Sequence, residues 1–157
     1  MIPELQSIAL LLRANHALFR RALQGIDEAK AREPMGTANP PLWIAAHLVA
    51  VRSQFVRALG GTVDVPWAGL FPRGGEVANP EQWPSLAEIL ARADETHAAL
   101  IQCAESCTVE RLAERSGVLG LDKTVHGAFG LAVFHEAYHL GQLALGRRHQ
   151  GLDRLVG

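Results

Sequence analysis

The stretch FHEAYHLGQLAL, residues 134–145, places His135 and His139 four residues apart inside an apolar helical pattern. On an α-helix this spacing separates two side chains by about 40° around the axis and about 6 Å along it, so both rings can reach one ion. The pattern runs from about Thr124 to about Gln150, and Gly151 follows as a stop signal. The segment therefore predicts a long helix whose two histidines either bind a metal together or form a chance surface pair.

The same stretch contains H-E-x-x-H, the zinc-protease motif, in which Glu136 would polarise a metal-bound water. The extended form of the motif is not met, because Gly141 comes one residue early and Leu145 occupies the position of the third ligand. No strand pattern offers an edge on which a peptide could lie. The sequence argues against a peptidase and leaves Glu136 as a candidate catalytic base or as a contact between helices or subunits.

Glu136 and His139 also spell E-x-x-H, the ligand unit of di-iron bundles. Such sites need a second E-x-x-H and two further inward glutamates. The nearest echo is Asp94 with His97, and the apolar stripes of the first two helical patterns contain no carboxylate. A di-iron site is therefore not favoured.

A third histidine, His47, lies on the apolar face of a different helical pattern, flanked by Ile44 and Leu48. An unpaired polar ring there would cost about 1–3 kcal/mol, so His47 needs a partner. A lone core histidine is more often hydrogen-bonded than a ligand. Three core-facing histidines on two helices, however, suit a tris-imidazole site whose remaining position is taken by water or substrate. We therefore predict a metal site at His47, His135 and His139.

The remaining polar candidates are weaker. Asn15 lies in the apolar stripe of the first helix and is predicted to support a ligand histidine, because ligating imidazoles donate their second N–H to a partner. His16 and His97 lie at the edges of their stripes and are interpreted as boundary residues. His126 is predicted to lie on the opposite side of the fourth helix from His135, and His149 lies about 21 Å from His135 along the helix axis.

Helical periodicity occurs in four segments, and no segment shows a convincing strand pattern. The first runs from about Pro3 to about Ala31, the second follows Asn39-Pro40-Pro41 and ends at Gly60-Gly61, the third begins with an S-x-x-E capping box at residues 85–88 and runs toward Cys107, and the fourth is described above. Residues 60–84 are rich in Gly and Pro and long enough to cross a bundle, so the second and third helices could run parallel. We predict an all-α, single-domain chain over residues 1–157, a four-helix bundle with a long crossover connection.

Composition narrows the classes of function. The 157 residues are 48% hydrophobic and 20% charged with a net charge of -1, which is typical of one globular domain without a basic surface for nucleic acid. No signal-peptide pattern and no membrane-spanning apolar run is present, so we expect a cytoplasmic protein without a membrane partner. Cys103 and Cys107 are expected to be buried thiols.

Three stretches together resemble the DinB-like, or YfiT-like, superfamily of metalloenzymes: WIAAHL at residues 43–48, PEQWPSLAEIL at 80–90 and FHEAYHLGQLAL at 134–145. The likeness extends over essentially the whole chain. It implies a four-helix bundle of unusual connectivity, His47, His135 and His139 as ligands of a divalent metal such as zinc or nickel, and a homodimer. Iron also suits imidazole ligands.

Characterised branches of that family are transferases and isomerases that use a low-molecular-weight thiol, namely bacillithiol, mycothiol or glutathione, and hydrolysis is the other activity proposed for it. A thiolate at an open metal position agrees with a three-histidine site. The resemblance thus implies a thiol S-transferase acting on a small molecule, with a hydrolase or a non-enzymatic, stress-related metal-binding dimer as alternatives. Arg73, Arg52 and Gln54 are weak candidates for substrate binding, and aromatic residues of the long connection either wall a pocket or pin the connection to the bundle.

Overall fold

The computed structural model describes residues 1–36, 39–72, 79–117 and 122–156. Its α-helices are α1 (Pro3–Leu23), α2 (Glu28–Arg32), α3 (Pro41–Ala58), α4 (Leu86–Ser106), α5 (Val109–Leu112) and α6 (Val125–His149), with short 3-10 turns at Ala68–Leu70 and Pro80–Gln82. Within these ranges no strand is present, and an isolated antiparallel bridge joins Arg115 and Thr124. Four long helices form the bundle, which confirms the predicted all-α fold class.

The first helix is shorter than predicted. It ends at Leu23 instead of continuing to Ala31, because the backbone of Gln24 is extended, with a ψ of 128°, and Gly25 then turns the chain with a φ of 80°. The side chain of Asp27 then accepts a hydrogen bond from the backbone N–H of Lys30 at 2.8 Å and starts α2. Ala31 is buried, so the apolar pattern persists while the helix does not.

The other long helices begin and end close to the predicted residues. Ser85 and Glu88 form the predicted capping box of α4. Thr124 caps α6 by accepting from the N–H of Gly127 at 3.0 Å. The start of α3 differs by one residue, since Pro40 and not Asn39 takes the N-cap position. All three clustered histidines therefore lie on helices that the sequence predicted, His47 on α3 and the other two on α6.

Contacts between helices fix their relative directions. Arg13 pairs with Glu105 at 3.1 Å and Arg20 with Asp94 at 2.7 Å, so residue numbers rise along α1 as they fall along α4, and the two helices are antiparallel. The same reasoning makes α3 and α6 antiparallel, because the ring of His47 lies 4.9 Å from that of His139. Further along α3, Arg52 pairs with Glu136, which comes before His139 on α6.

Helices α3 and α4, in contrast, run parallel. Arg52 donates to the carbonyl of Ala93 at 3.0 Å, and further along both helices the thiol of Cys103 contacts the carbonyl of Val56 at 3.9 Å. The connection between them therefore returns along the length of the bundle, an arrangement that the length of residues 60–84 allows. This parallel pair separates the bundle from a simple up-down-up-down arrangement.

Aromatic residues pin this long connection to α3. The ring of Phe71 is fully buried, 6.1 Å from that of Trp43 on α3 and 6.1 Å from that of Trp83. Trp67 packs edge-on against Phe71 at 5.7 Å. These contacts agree with the interpretation that the aromatic residues hold the connection against the bundle. They also place the backbone of Phe71 beside His47.

Two further observations concern the chain as a whole. Cys103 and Cys107 are both buried free thiols, as predicted. A search of the helices in the described residues found none with both the length and the apolar character needed to cross a bilayer.

Candidate metal centre

The structure brings His47 of α3 together with His135 and His139 of α6. One ring nitrogen from each of the three lies within 4.8 Å of those of the other two, and the two Nε2 atoms of His47 and His135 are 3.3 Å apart. His47 is 3% exposed, and the other two rings are half-buried. The predicted residues therefore form one cluster at the junction of α3 and α6.

Hydrogen bonds set the tautomers of two of these rings. Nδ1 of His47 lies 3.0 Å from the carbonyl oxygen of Phe71, which can only accept, so Nδ1 carries the proton. Nδ1 of His139 lies 2.7 Å from Oε1 of Gln142 and is protonated for the same reason. In both rings Nε2 is left with its lone pair, which is the state that a metal ligand requires.

The geometry fits a small divalent ion. Two nitrogen atoms bound at about 2.0–2.1 Å to a tetrahedral ion are about 3.4 Å apart, which matches the separation of the Nε2 atoms of His47 and His135. Burial lowers the pKa of His139 below its usual value, and His47 lowers it further, although the hydrogen bond to Gln142 opposes the shift. The lowered pKa favours the neutral form of His139, which is the form that binds a metal. Three imidazoles suit zinc, nickel and iron.

Two supporting groups were missed by the sequence prediction. Gln142 follows His139 by three residues, so helical spacing alone could have placed it beside that ring. The carbonyl of Phe71 could not be found in this way, because it is a backbone group brought in by a long connection. Asn15, which was predicted to support a ligand, donates to the carbonyl of Val133 at 3.2 Å, so it contacts the backbone of α6 just before His135.

The structure places Glu136 and Arg52 in the core, where they bind each other. Their atoms Oε1 and Nε are 2.6 Å apart, and the side chains are 4% and 1% exposed, respectively. This partnership gives no support to Glu136 as a base or to Arg52 as a substrate ligand. Gln54 is exposed on α3, and Arg73 lies outside the described residues.

The other histidines lie apart from the cluster. His16 and His97 stack on each other between α1 and α4, with ring centroids 4.1 Å apart, and Nε2 of His16 is 3.0 Å from Oδ1 of Asp94. Both rings are half-buried, which agrees with their interpretation as boundary residues. His126 and His149 are exposed.

A sequence model of the DinB superfamily matches residues 11–143, a range that contains all three clustered histidines. The chain belongs to the DinB superfamily. A search of curated proteins gives no match.

The DinB assignment agrees with a structural likeness to YfiT from Bacillus subtilis, reported as "a probable metal-dependent hydrolase with an unusual four-helix bundle topology". The superposition has a TM-score of 0.68 and covers 98% of this chain and 91% of YfiT, at 17% sequence identity. At this identity the match shows a shared fold. The four-helix bundle that the motifs implied is thereby confirmed.

Proposed function

We propose that this DinB protein is a divalent-metal-dependent enzyme that holds its ion with His47, His135 and His139. The observation that carries the proposal is the convergence of three imidazole nitrogens, two of which have their lone pairs fixed by hydrogen bonds on the far side of the ring. Zinc and nickel are the first candidates and iron the next, because neutral imidazole suits all three.

A divalent ion in such a site supplies Lewis acidity at its open position, which favours the deprotonated form of a bound water or thiol. The chain's own residues keep the ligand rings in place. The indole of Trp43 stacks on His47 with centroids 5.0 Å apart and planes 6° from parallel, and the ring of Tyr138 packs edge-on against His139 at 5.0 Å. These contacts restrict rotation of the rings, so the nitrogens are oriented before the ion binds.

Transfer of a low-molecular-weight thiol is the first candidate reaction, with bacillithiol, mycothiol or glutathione as the thiol and a small electrophile as the second substrate. In the described part of the chain the cluster includes no carboxylate, and Glu136 is bound to Arg52. A thiolate is already a strong nucleophile and needs no carboxylate base once it is deprotonated.

Metal-dependent hydrolysis is the second candidate. The description of YfiT favours it, because that protein shares the fold over almost its whole length. The two candidates share the same ion and the same ligands and differ in whether the reaction consumes a thiol or water.

The ligand assignment is tested by titrating the metal-free protein with zinc and with nickel. His47→Ala and His139→Ala each remove one of three ligands, so we expect the affinity to fall by more than the roughly 10–100-fold that loss of an outer partner causes. His149→Ala, which removes an exposed histidine from the same helix as His139, is the matched control and should bind as the wild type does. Unchanged affinity in both ligand variants would refute the assignment.

The reaction is tested with the metal-loaded protein, an electrophilic aryl halide and each of the three thiols, in parallel with an activated ester without thiol. Thiol-dependent conjugation that is lost in His47→Ala supports the transferase. Ester hydrolysis that is lost in the same variant, with no thiol dependence, replaces it with the hydrolase. If metal binds tightly and neither reaction occurs, the enzymatic proposal gives way to a non-enzymatic metal-binding bundle.

We also propose that the protein forms a homodimer through α6. Phe134, Tyr138 and Leu145 are large apolar residues on the outer side of this helix, and they are 62%, 58% and 71% exposed. Ala137 and Gly141 are exposed on the same side, so the face carries no charge over three turns. A second copy suits such a face, because a two-fold axis brings the uncharged surface against itself.

A further inference from the structure

A buried arginine connects all four long helices of the bundle. Arg52 lies on α3 and its Nε donates to Oε1 of Glu136 on α6 at 2.6 Å. Its Nη1 donates to the carbonyl of Ala93 on α4 at 3.0 Å, and its guanidinium lies 5.9 Å from the ring centroid of Phe19 on α1. A single side chain therefore fixes α3 against each of the other three helices.

Stability gives little reason to place this pair in the core. Taking two charges out of water costs several kcal/mol per ion, and replacing a buried pair with apolar residues of similar size is often neutral or stabilising. The pair is also incompletely satisfied, because Oε2 of Glu136 is buried and has no hydrogen-bond partner among the described residues. A directional ion pair retained at such a cost points to a requirement for a specific geometry.

The pair lies on the same two helices as the three histidines and close to them in sequence. Arg52 follows His47 by five residues on α3, which is about 7.5 Å along the axis, and Glu136 directly follows His135 on α6. A rotation or a slide of one helix against the other would therefore separate His47 from His135 and would break the 2.6 Å ion pair as well.

We propose that Arg52 and Glu136 are positioning residues of the three-histidine site: their ion pair fixes the rotation and axial register of α3 against α6 at which His47 meets His135 and His139. This inference rests on the proposed metal-binding function. It assigns the pair no contact with the ion or the substrate. Apolar contacts alone fix register poorly, because a helix face of small and aliphatic residues can repack after a shift. The planar guanidinium of Arg52, in contrast, donates to Glu136 and to the carbonyl of Ala93 at the same time, which fixes its direction.

The test uses the full chain and the double variant Arg52→Met, Glu136→Leu. Because both charges are removed together, no unpaired charge is left in the core, and we expect the metal-free variant to unfold at a temperature equal to or above that of the wild type. We expect its affinity for zinc to fall by about 10–100-fold, the range seen when groups that orient metal ligands are lost. With cobalt(II) as a spectroscopic probe, the visible absorption bands should change in position and intensity, because they report ligand geometry.

The matched control is Arg13→Met, Glu105→Leu, which removes an ion pair between α1 and α4, two helices that carry none of the three histidines. This variant should keep the wild-type zinc affinity and cobalt spectrum. If the core double variant does not fold, Arg52→Lys takes its place, and we expect the same fall in zinc affinity and the same change in the cobalt spectrum. Lysine keeps the charge but lacks the planar guanidinium that donates to Glu136 and Ala93 together.

A folded core variant with wild-type zinc affinity and an unchanged cobalt spectrum would overturn the inference and leave the proposed function intact. An equal loss of affinity in the core variant and in the control would also overturn it, because the effect would then not depend on α3 and α6. Failure of the wild-type protein itself to bind zinc, nickel or cobalt would overturn the proposed function first. The wild-type titration thus separates the two failures.

Discussion

Gln142 shows how much of the candidate site depends on a single side chain. Its Oε1 accepts from Nδ1 of His139 at 2.7 Å, and this hydrogen bond leaves the lone pair of His139 on Nε2. Replacement by leucine keeps the size of the side chain but removes the acceptor. We therefore expect Gln142→Leu to weaken zinc binding by about 10–100-fold while the fold is retained.

Competition with a chromophoric chelator measures this change. Gln102→Leu, which replaces an exposed glutamine on α4, is the control and should leave the affinity unchanged. Wild-type affinity in Gln142→Leu would show that the tautomer of His139 is set in another way.

The stacked pair of His16 and His97 predicts a loss of stability in acid. Burial, with the neighbouring His16 and the guanidinium groups of Arg52 and Arg13, lowers the pKa of His97 to about 3, and Asp94 opposes the shift only weakly. Burial and then Arg52 lower the pKa of His16 as well. Between pH 6.5 and about 3 the unfolded chain therefore binds protons that the folded chain does not, so stability falls as the pH falls through this window.

Thermal unfolding of the metal-free protein between pH 7 and pH 4 measures this effect. The pKa values of His16 and His139 are lowered too, so the effect of His97 is isolated by comparison with His97→Leu, whose unfolding midpoint should fall less steeply over the same interval. Equal slopes for the two proteins would mean that His97 is not buried in its neutral form.

At the scale of the residue, the sequence was sufficient for groups whose position follows from helical spacing. His135 and His139 share a face because they are four residues apart, and His47 could be joined to them because it lies on an apolar face and needs a partner. An interhelical contact was one of the predicted roles of Glu136, but its partner Arg52 was not predicted, because the two residues are 84 positions apart and charged side chains are rarely expected in a core. The supporting carbonyl of Phe71 depends on the path of a long connection.

At the scale of the element, the start of α4 is the clearest case of a local signal that works. The hydroxyl of Ser85 accepts from the N–H of Glu88, and Oε2 of Glu88 accepts from the N–H of Ser85 at 2.8 Å. We expect Ser85→Ala to lower the free energy of unfolding by about 1 kcal/mol, because the N–H of Glu88 loses its acceptor and Oε2 of Glu88 loses the hydroxyl that donates to it.

Chemical denaturation measures this difference. Ser106→Ala, at the other end of the same helix, is the control: the hydroxyl of Ser106 bonds only to carbonyls within its own helix, so its loss should change stability by less than about 0.5 kcal/mol. A similar effect of the two variants would count against a specific role of the capping box.

The break between α1 and α2 shows where local signals were insufficient. The apolar period continues from α1 into α2, and Ala31 is buried in the same core as Leu23, so periodicity alone predicts one uninterrupted helix. The turn depends on Gly25 in a left-handed conformation and on the cap provided by Asp27. An isolated glycine is tolerated inside a helical pattern, so Gly25 alone did not outweigh the apolar period in the prediction.

At the scale of the whole molecule, the parallel arrangement of α3 and α4 requires a long crossover, and this crossover contacts the candidate metal site. The length of residues 60–84 was enough to predict that this arrangement could occur, because a shorter connection could not return along the bundle. It was not enough to predict that the same connection would supply the carbonyl of Phe71 to His47. The crossover is therefore a topological feature and a source of one contact in the site.

The proposed homodimer is tested at the same scale. Leu145→Glu places a charge on the uncharged outer face of α6, and two copies related by a two-fold axis would bring both new charges to the interface. We expect the wild-type protein to sediment as a dimer and Leu145→Glu as a folded monomer. Val109→Glu, which changes an exposed apolar residue on α5, should remain a dimer. A monomeric wild type, or a dimer that Leu145→Glu does not weaken, would refute this interface.

The central claim is that one divalent ion binds His47, His135 and His139. The most direct measurement is a crystal structure of the protein, prepared without a histidine tag and loaded with zinc, with anomalous data on both sides of the zinc absorption edge. The account predicts a single strong anomalous peak about 2.0–2.1 Å from one nitrogen of each of the three rings, with the fourth position held by a non-protein ligand. A peak at exposed histidines such as His126 or His149 and none between α3 and α6 would contradict it.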